Sequence, residues 1–164
     1  MIAIIRIRGS TGIKPSAEKT AELLNLTRIN HMVLFPKNES ISGMLQRVKD
    51  YVTWGEIDTD TIKLLLQDRI LLEGRNKIGD EYIKEAGYSS IDELAAAMEA
   101  DKVKIKDLNG IIPVIRLHPP KGGYEAIQKP FNQHGSAGYR GKEINKLIKK
   151  MIKPGVDLNG KNTN

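Results

Sequence analysis

Ile2-Ala-Ile-Ile-Arg-Ile-Arg8 is followed by Gly9-Ser-Thr-Gly12 and then by Pro15-Ser16. The first stretch is apolar and β-branched and predicts a strand, on which the period of two puts Arg6 and Arg8 on one face. The paired glycines mark a turn, and proline followed by serine opens a helix with Ser16 as its expected cap. Ala17, Ala21, Leu23 and Leu24 are expected to give that helix a narrow buried stripe.

Working outward, Met32–Pro36 predicts a second strand, closed by Pro36 and the polar residues after it. Ser40 is the expected cap of a second helix, with Ile41, Met44, Leu45, Val48 and Val52 on one face at helical spacing. Val52-Thr-Trp-Gly55 predicts a third short strand. Strand, helix, strand, helix and strand fill residues 1–58 and imply an α+β fold. Its core is a small βαβαβ unit with both helices on one sheet face.

Residues 59–110 read differently. Thr59–Ile70 and Ile91–Ala100 predict helices, the second announced by a capping box of Ser90 and Glu93. Short extended pieces and Gly74, Gly79 and Gly87 lie between them. The stretch is expected to form an added, mainly helical subdomain facing away from any nucleic acid. In residues 111–153, Ile111–Leu117 is strand-like, and Pro113 argues for a sheet edge. His118-Pro-Pro-Lys-Gly-Gly-Tyr124 is irregular, and a glycine-rich basic loop runs from Lys129 to Gly141. The last helix has Ile144, Leu147, Ile148, Met151 and Ile152 on one side and Lys142, Lys146, Lys149 and Lys150 elsewhere. Pro154-Gly155 should end it, and residues 154–164 are expected to be disordered.

The net charge of +6 is unevenly spread. Lys+Arg against Asp+Glu is 8 to 7 (+1) in residues 1–60, 8 to 10 (−2) in 61–110 and 10 to 3 (+7) in 111–164. Such a C-terminal excess attracts polyanions, most simply phosphate backbones, although a solvated basic tail would give the same count. Cysteine is absent, which removes disulfides and thiolate chemistry and fits a reducing, intracellular setting. The apolar run at the N-terminus stops at Arg6, too short for a signal peptide, and no stretch approaches the roughly 18 apolar residues of a membrane helix. A soluble protein without a membrane partner is expected.

Catalytic chemistry finds little support. His31, His118 and His134 have no metal-ligand spacing, and acidic pairs such as Asp92/Glu93 sit at helix starts, where they complement the helix dipole. No metal, cofactor or small-molecule substrate is expected. Gly9-Ser-Thr-Gly-Ile-Lys14 follows a strand and precedes a helix, yet a P-loop needs four residues between its glycines and Ser or Thr after the lysine. The KH-type Gly-x-x-Gly clamp needs helices on both sides. What remains is either an ordinary polar turn or a phosphate contact made by Ser10 and Thr11 with Arg6, Arg8 and Lys14 nearby. At the other end, Lys121, Gly122, Gly123, Lys129, His134, Arg140 and Lys142 combine cations with flexible backbone. Lys146, Lys149 and Lys150 extend the charge along the last helix. Tyr124, Phe131, His134 and Tyr139 add rings that can stack on unpaired bases, and Phe131 can equally pin the loop to the core. Trp54 is expected in the core.

Three ordered motifs carry a family resemblance. Arg6-Ile-Arg-Gly-Ser-Thr-Gly-Ile-Lys-Pro15, with Lys19 and Leu23-Leu-Asn-Leu26, resembles the start of the large-subunit ribosomal protein L-thirty family in its long archaeal form, whose eukaryotic counterpart is L-seven. Val48-Lys-Asp-Tyr-Val-Thr-Trp-Gly55 is similar to the family's segment at the end of its second helix. Pro120-Lys-Gly-Gly123 and His134-Gly-Ser-Ala-Gly-Tyr-Arg-Gly-Lys-Glu-Ile-Asn-Lys-Leu-Ile-Lys-Lys-Met151 resemble the long form's close. The resemblance implies a ferredoxin-like βαβαβ core with an antiparallel sheet and a C-terminal subdomain. It further implies a cytoplasmic place in the large ribosomal subunit, bound to large-subunit rRNA near 5S rRNA and beside other ribosomal proteins. Two other classes compete: a nucleotide-dependent enzyme built on the Gly9–Gly12 turn, and a free-standing RNA-binding or protein-interaction module.

Overall fold

β1 (Ile2–Arg6) is buried from end to end and forms the middle of the sheet. The structure, a computed structural model, describes residues 1–152. The expected helix stop at Pro154-Gly155 and the tail 154–164 lie outside the described residues. After β1 come α1 (Pro15–Leu23), β2 (His31–Phe35), α2 (Glu39–Val48) and β3 (Val52–Glu56). α3 (Thr59–Asp68), α4 (Asp80–Glu85) and α5 (Ile91–Glu99) follow, then β4 (Ile115–Arg116), β5 (Gly138–Tyr139) and α6 (Ile144–Ile152). The strand order is β4-β2-β1-β3-β5. The core strands are antiparallel, with Ile4 opposite Val33 on one side and Trp54 on the other, and among the described strands only β5 runs parallel to its neighbour, β3. This is the expected α+β fold with an antiparallel βαβαβ core.

Alternation along β1 assigns the two faces. Ile2 and Ile4 join Val33, Val52 and Trp54 against Ala17 and Ala21 of α1 and Ile41, Leu45 and Val48 of α2. Ala3, Ile5 and Ile7 join Met32 and Leu34 on the opposite face, under Ile62 and Leu65 of α3, Leu94 and Met98 of α5, and Ile144, Ile148 and Met151 of α6. A strand buried on both faces carries apolar side chains at successive positions, which is why this one shows no apolar–polar alternation. Residues 59–110 therefore share a hydrophobic core with the sheet and with α6.

Several local expectations change. The residue capping α1 is Lys14, with Pro15 in the first turn, so Ser16 lies inside the helix. Proline suits that position because its missing N–H has no helical partner there. α2 is capped by Asn38, whose Oδ1 accepts from the Ile41 amide at 2.8 Å, and Ser40 falls in the first turn. Val52 leaves the α2 face and starts β3. The Ser90 hydroxyl accepts from the Glu93 amide, but the Glu93 carboxylate turns to Ser89, so the capping box is not reciprocal. The 111–117 strand contracts to Ile115–Arg116 at the sheet edge, the place Pro113 requires.

Candidate nucleic-acid interface

The turn after β1 is organised from within by Arg6, which is only 2% exposed. Its Nε donates to the Arg8 carbonyl at 2.8 Å, one terminal nitrogen to the Leu26 carbonyl at 2.6 Å, and the other to Ser10 Oγ at 3.2 Å. Burial lowers its pKa from the ordinary arginine value, with Glu18 opposing. Arg6, expected at the phosphate surface, is therefore an internal brace, and Ser10 has spent part of its hydroxyl on it. The reason is non-local: the chain returns at Leu26 and offers a carbonyl that sequence periodicity does not reveal. What the turn displays outward is Ser10, Thr11, Gly12 and Lys14, all exposed. Arg8 is half-buried, its guanidinium 5.2 Å from the centre of the Tyr51 ring.

The C-terminal segment is pinned at many points. The His118 amide donates to the Met151 carbonyl at 3.0 Å and the Lys121 amide to Lys150 at 3.3 Å, so the 118–121 stretch satisfies carbonyls that the end of α6 leaves open. Gly122 and Gly123, both at positive φ, turn the chain towards Tyr124. Tyr124 faces inward, with its hydroxyl donating to Asn30 Oδ1 at 2.5 Å. Burial pushes that phenol well above the usual tyrosine range, so Tyr124 is an anchor, not a stacking ring. Asn30 also donates its amide to the Arg6 carbonyl at 2.8 Å, which ties both basic segments to one residue.

Arg140 repeats the role of Arg6. Its Nε donates to Thr53 Oγ1 and a terminal nitrogen to the Ser136 carbonyl, both at 2.7 Å, while the guanidinium lies 4.9 Å from the centre of the Phe131 ring. Burial lowers its pKa from the ordinary arginine value, with Tyr124, Glu125 and Glu143 opposing, and Phe131 serves the loop's own packing. Close backbone approach completes the docking. A Cβ on Gly135 would stand 1.9 Å from the Lys129 carbonyl oxygen, and one on Gly55 of β3 would stand 1.9 Å from that of Gly141. Asn145, 6% exposed, accepts from the Asp58 amide at 3.0 Å and donates to the carbonyls of Lys142 at 2.9 Å and Glu56 at 3.1 Å. Sequence reading missed Asn145 and Thr53. A polar residue on the apolar side of a helix was the available signal for Asn145.

Outward from this scaffold point Lys121, Gly122, Gly123, Lys129, His134, Lys142, Lys146 and Lys149, all exposed, with Lys150 half-buried. Lys142, Lys146 and Lys150 recur every four residues and share one side of the turn leading into α6 and the helix itself. Lys146 is paired with Glu143 at 3.1 Å, one helical turn back. Gly123, Arg140, Lys146 and Lys150 line one groove of about 180 Å³. Tyr139, 54% exposed, stands 6.3 Å from the Trp54 ring, and the two line a second groove of about 430 Å³ with Lys49. Among the described residues no group of three or more His, Asp or Glu is placed to hold a metal ion. No helix there is long and apolar enough to cross a membrane.

Fold and surface together define a small basic α+β protein that presents lysines on ordered loops held by inward-facing arginines and asparagines. A family model described as ribosomal protein L30p/L7e matches residues 2–52. The chain is 56% identical to the large ribosomal subunit protein uL30 of Thermoplasma acidophilum, with 100% of both chains covered. It is 50% identical to that of Methanosphaera stadtmanae over 93% of this chain and 100% of the relative. The chain belongs to the ribosomal protein L30p/L7e family.

Proposed function

We propose that the chain is a structural constituent of the large ribosomal subunit in the cytoplasm, where it binds and braces large-subunit rRNA. 5S rRNA and other ribosomal proteins are its expected neighbours, and it catalyses no reaction. The observation that carries this reading is end-to-end likeness to relatives named as large-subunit proteins. The geometry supplies the mechanism. Lysines on rigid supports displace counterions from phosphates, and the fixed shape of the loops selects which phosphates can be met together. Ser10, Thr11 and Lys14 serve one contact; Lys121, Lys129, Lys142, Lys146, Lys149 and Lys150 serve the other. Tyr139 and His134 are exposed rings available to an unpaired base. Arg6 and Arg140 act through the loops they hold.

Co-sedimentation of tagged full-length chain with ribosomes at low salt tests the reading. Recovery in the large-subunit fraction is expected. A chain that stays in the soluble fraction contradicts it. Saturable ATP or GTP binding by titration calorimetry would instead revive the nucleotide-dependent alternative.

A further inference from the structure

Arginines far apart in sequence converge on the open edge of β4. Arg69 at the end of α3, Arg75 and Arg116 line one groove of about 210 Å³, with Asp68 as its acidic member. Three arginines against one aspartate leave the groove cationic. Arg75 and Arg116 are exposed; Arg69 is half-buried, and its Nε donates to the Ile152 carbonyl at the end of α6. Arg75 sits at the tip of a tight hairpin, where Leu71 pairs with Lys77 and the Leu72 amide donates to the Asn76 carbonyl at 2.8 Å. Its φ of 64° is left-handed, a conformation that glycine or asparagine adopts at less cost. Nothing in the backbone calls for arginine there.

The flank of the groove is cationic too. Arg116 pairs with His31 across β2 and β4. The His31 imidazole is held below its ordinary value by burial first, then by Arg116, Arg28 and Arg6. Its Nδ1 is buried without a hydrogen-bond partner among the described residues.

We propose that Arg69, Arg75 and Arg116 form a third phosphate-binding surface, an arginine-lined site along the β4 edge that receives an RNA backbone. Planar guanidinium forks match phosphate oxygens in pairs, and these three reach one groove from the end of α3, a hairpin tip and the β4 edge. Arg69 joins the end of α6, the helix that carries Lys146, Lys149 and Lys150, to the groove. The inference rests on the RNA-binding reading above.

The test compares full-length wild type with Arg75→Asn/Arg116→Gln for binding to a large-subunit rRNA transcript across a KCl series. The expected result is a salt slope smaller by between one and two, at about 0.7–0.9 per phosphate neutralised. Tm should be unchanged or raised, because Asn tolerates the left-handed tip. Arg75→Lys/Arg116→Lys should recover the slope but only part of the affinity, because charge is restored without the fork. Wild-type binding with an unchanged slope in the Asn/Gln variant would overturn this proposal and leave the lysine surface standing. No binding by wild type would overturn both. If the variant bound RNA normally yet failed to enter the assembled subunit, the groove would belong to an acidic protein neighbour, which also overturns it.

Discussion

The turn after β1 and the loop before α6 meet the same requirement with different robustness. Each displays cations and flexible backbone outward, and each turns an arginine inward. In the N-terminal turn one side chain, Arg6, gathers the carbonyls of Arg8 and Leu26 and the hydroxyl of Ser10. In the C-terminal segment the same task is divided among Arg140, Asn145, Tyr124 and the close approaches at Gly55 and Gly135. A local turn can be held from one point. A long segment arriving from far along the chain loses more entropy on ordering and needs several anchors. Counting cations therefore overstates the charge available to a ligand in both places, since the arginines are partly consumed by the fold.

The largest effect should come from breaking the single anchor. Arg6→Met leaves the Leu26 and Arg8 carbonyls without their donors and should lower unfolding stability by about 2–4 kcal/mol in urea denaturation. Loss of protection at residues 9–14 in hydrogen exchange should accompany it. Distributed anchoring predicts a smaller change at the other end. Asn145→Ala removes three bonds around one buried side chain and should cost about 2 kcal/mol, with the C-terminal loop still protected. An Asn145→Ala loss larger than that of Arg6→Met would reverse the comparison.

What the sequence could and could not reveal follows the same division. The order of β1, α1, β2, α2 and β3 was legible because each element carries its own period and punctuation. So was the edge position implied by Pro113. The cap of α2 was misplaced because Asn38 and Ser40 are both good caps, and only the Asn38 bond to Ile41 distinguishes them. α4 and β5 are too short to show a period. The inward turn of Arg6 depends on a carbonyl twenty residues away, and the docking of Tyr124 on a side chain ninety-four residues away. The arginines at positions 69, 75 and 116 never form a run, so charge patterning passed over them.

A smaller effect concerns pH. His31, buried at Nδ1 and beside Arg116 and Arg28, has a folded pKa below its unfolded value of about 6.5. The unfolded chain then binds more protons, so this residue's contribution to stability is present above that value and is lost as pH falls below it. The decline of Tm on acidification from pH 7 to 5.5 should be shallower in His31→Gln than in wild type. Equal slopes would mean that neither burial nor the arginine flank holds this imidazole below its ordinary value.

Arg6, Arg140 and Asn145 anchor the loops, whereas the lysines at positions 142, 146, 149 and 150 form, in the reading proposed above, a separate phosphate-facing set. The decisive measurement is the salt dependence of rRNA binding in Lys142→Gln/Lys146→Gln/Lys149→Gln/Lys150→Gln, followed beside its Tm. If the sets are separate, the slope falls by about 0.7–0.9 for each phosphate no longer neutralised, while Tm stays within about 2 °C of wild type. An unchanged slope, or a fold that melts with the lysines gone, would show that they are not.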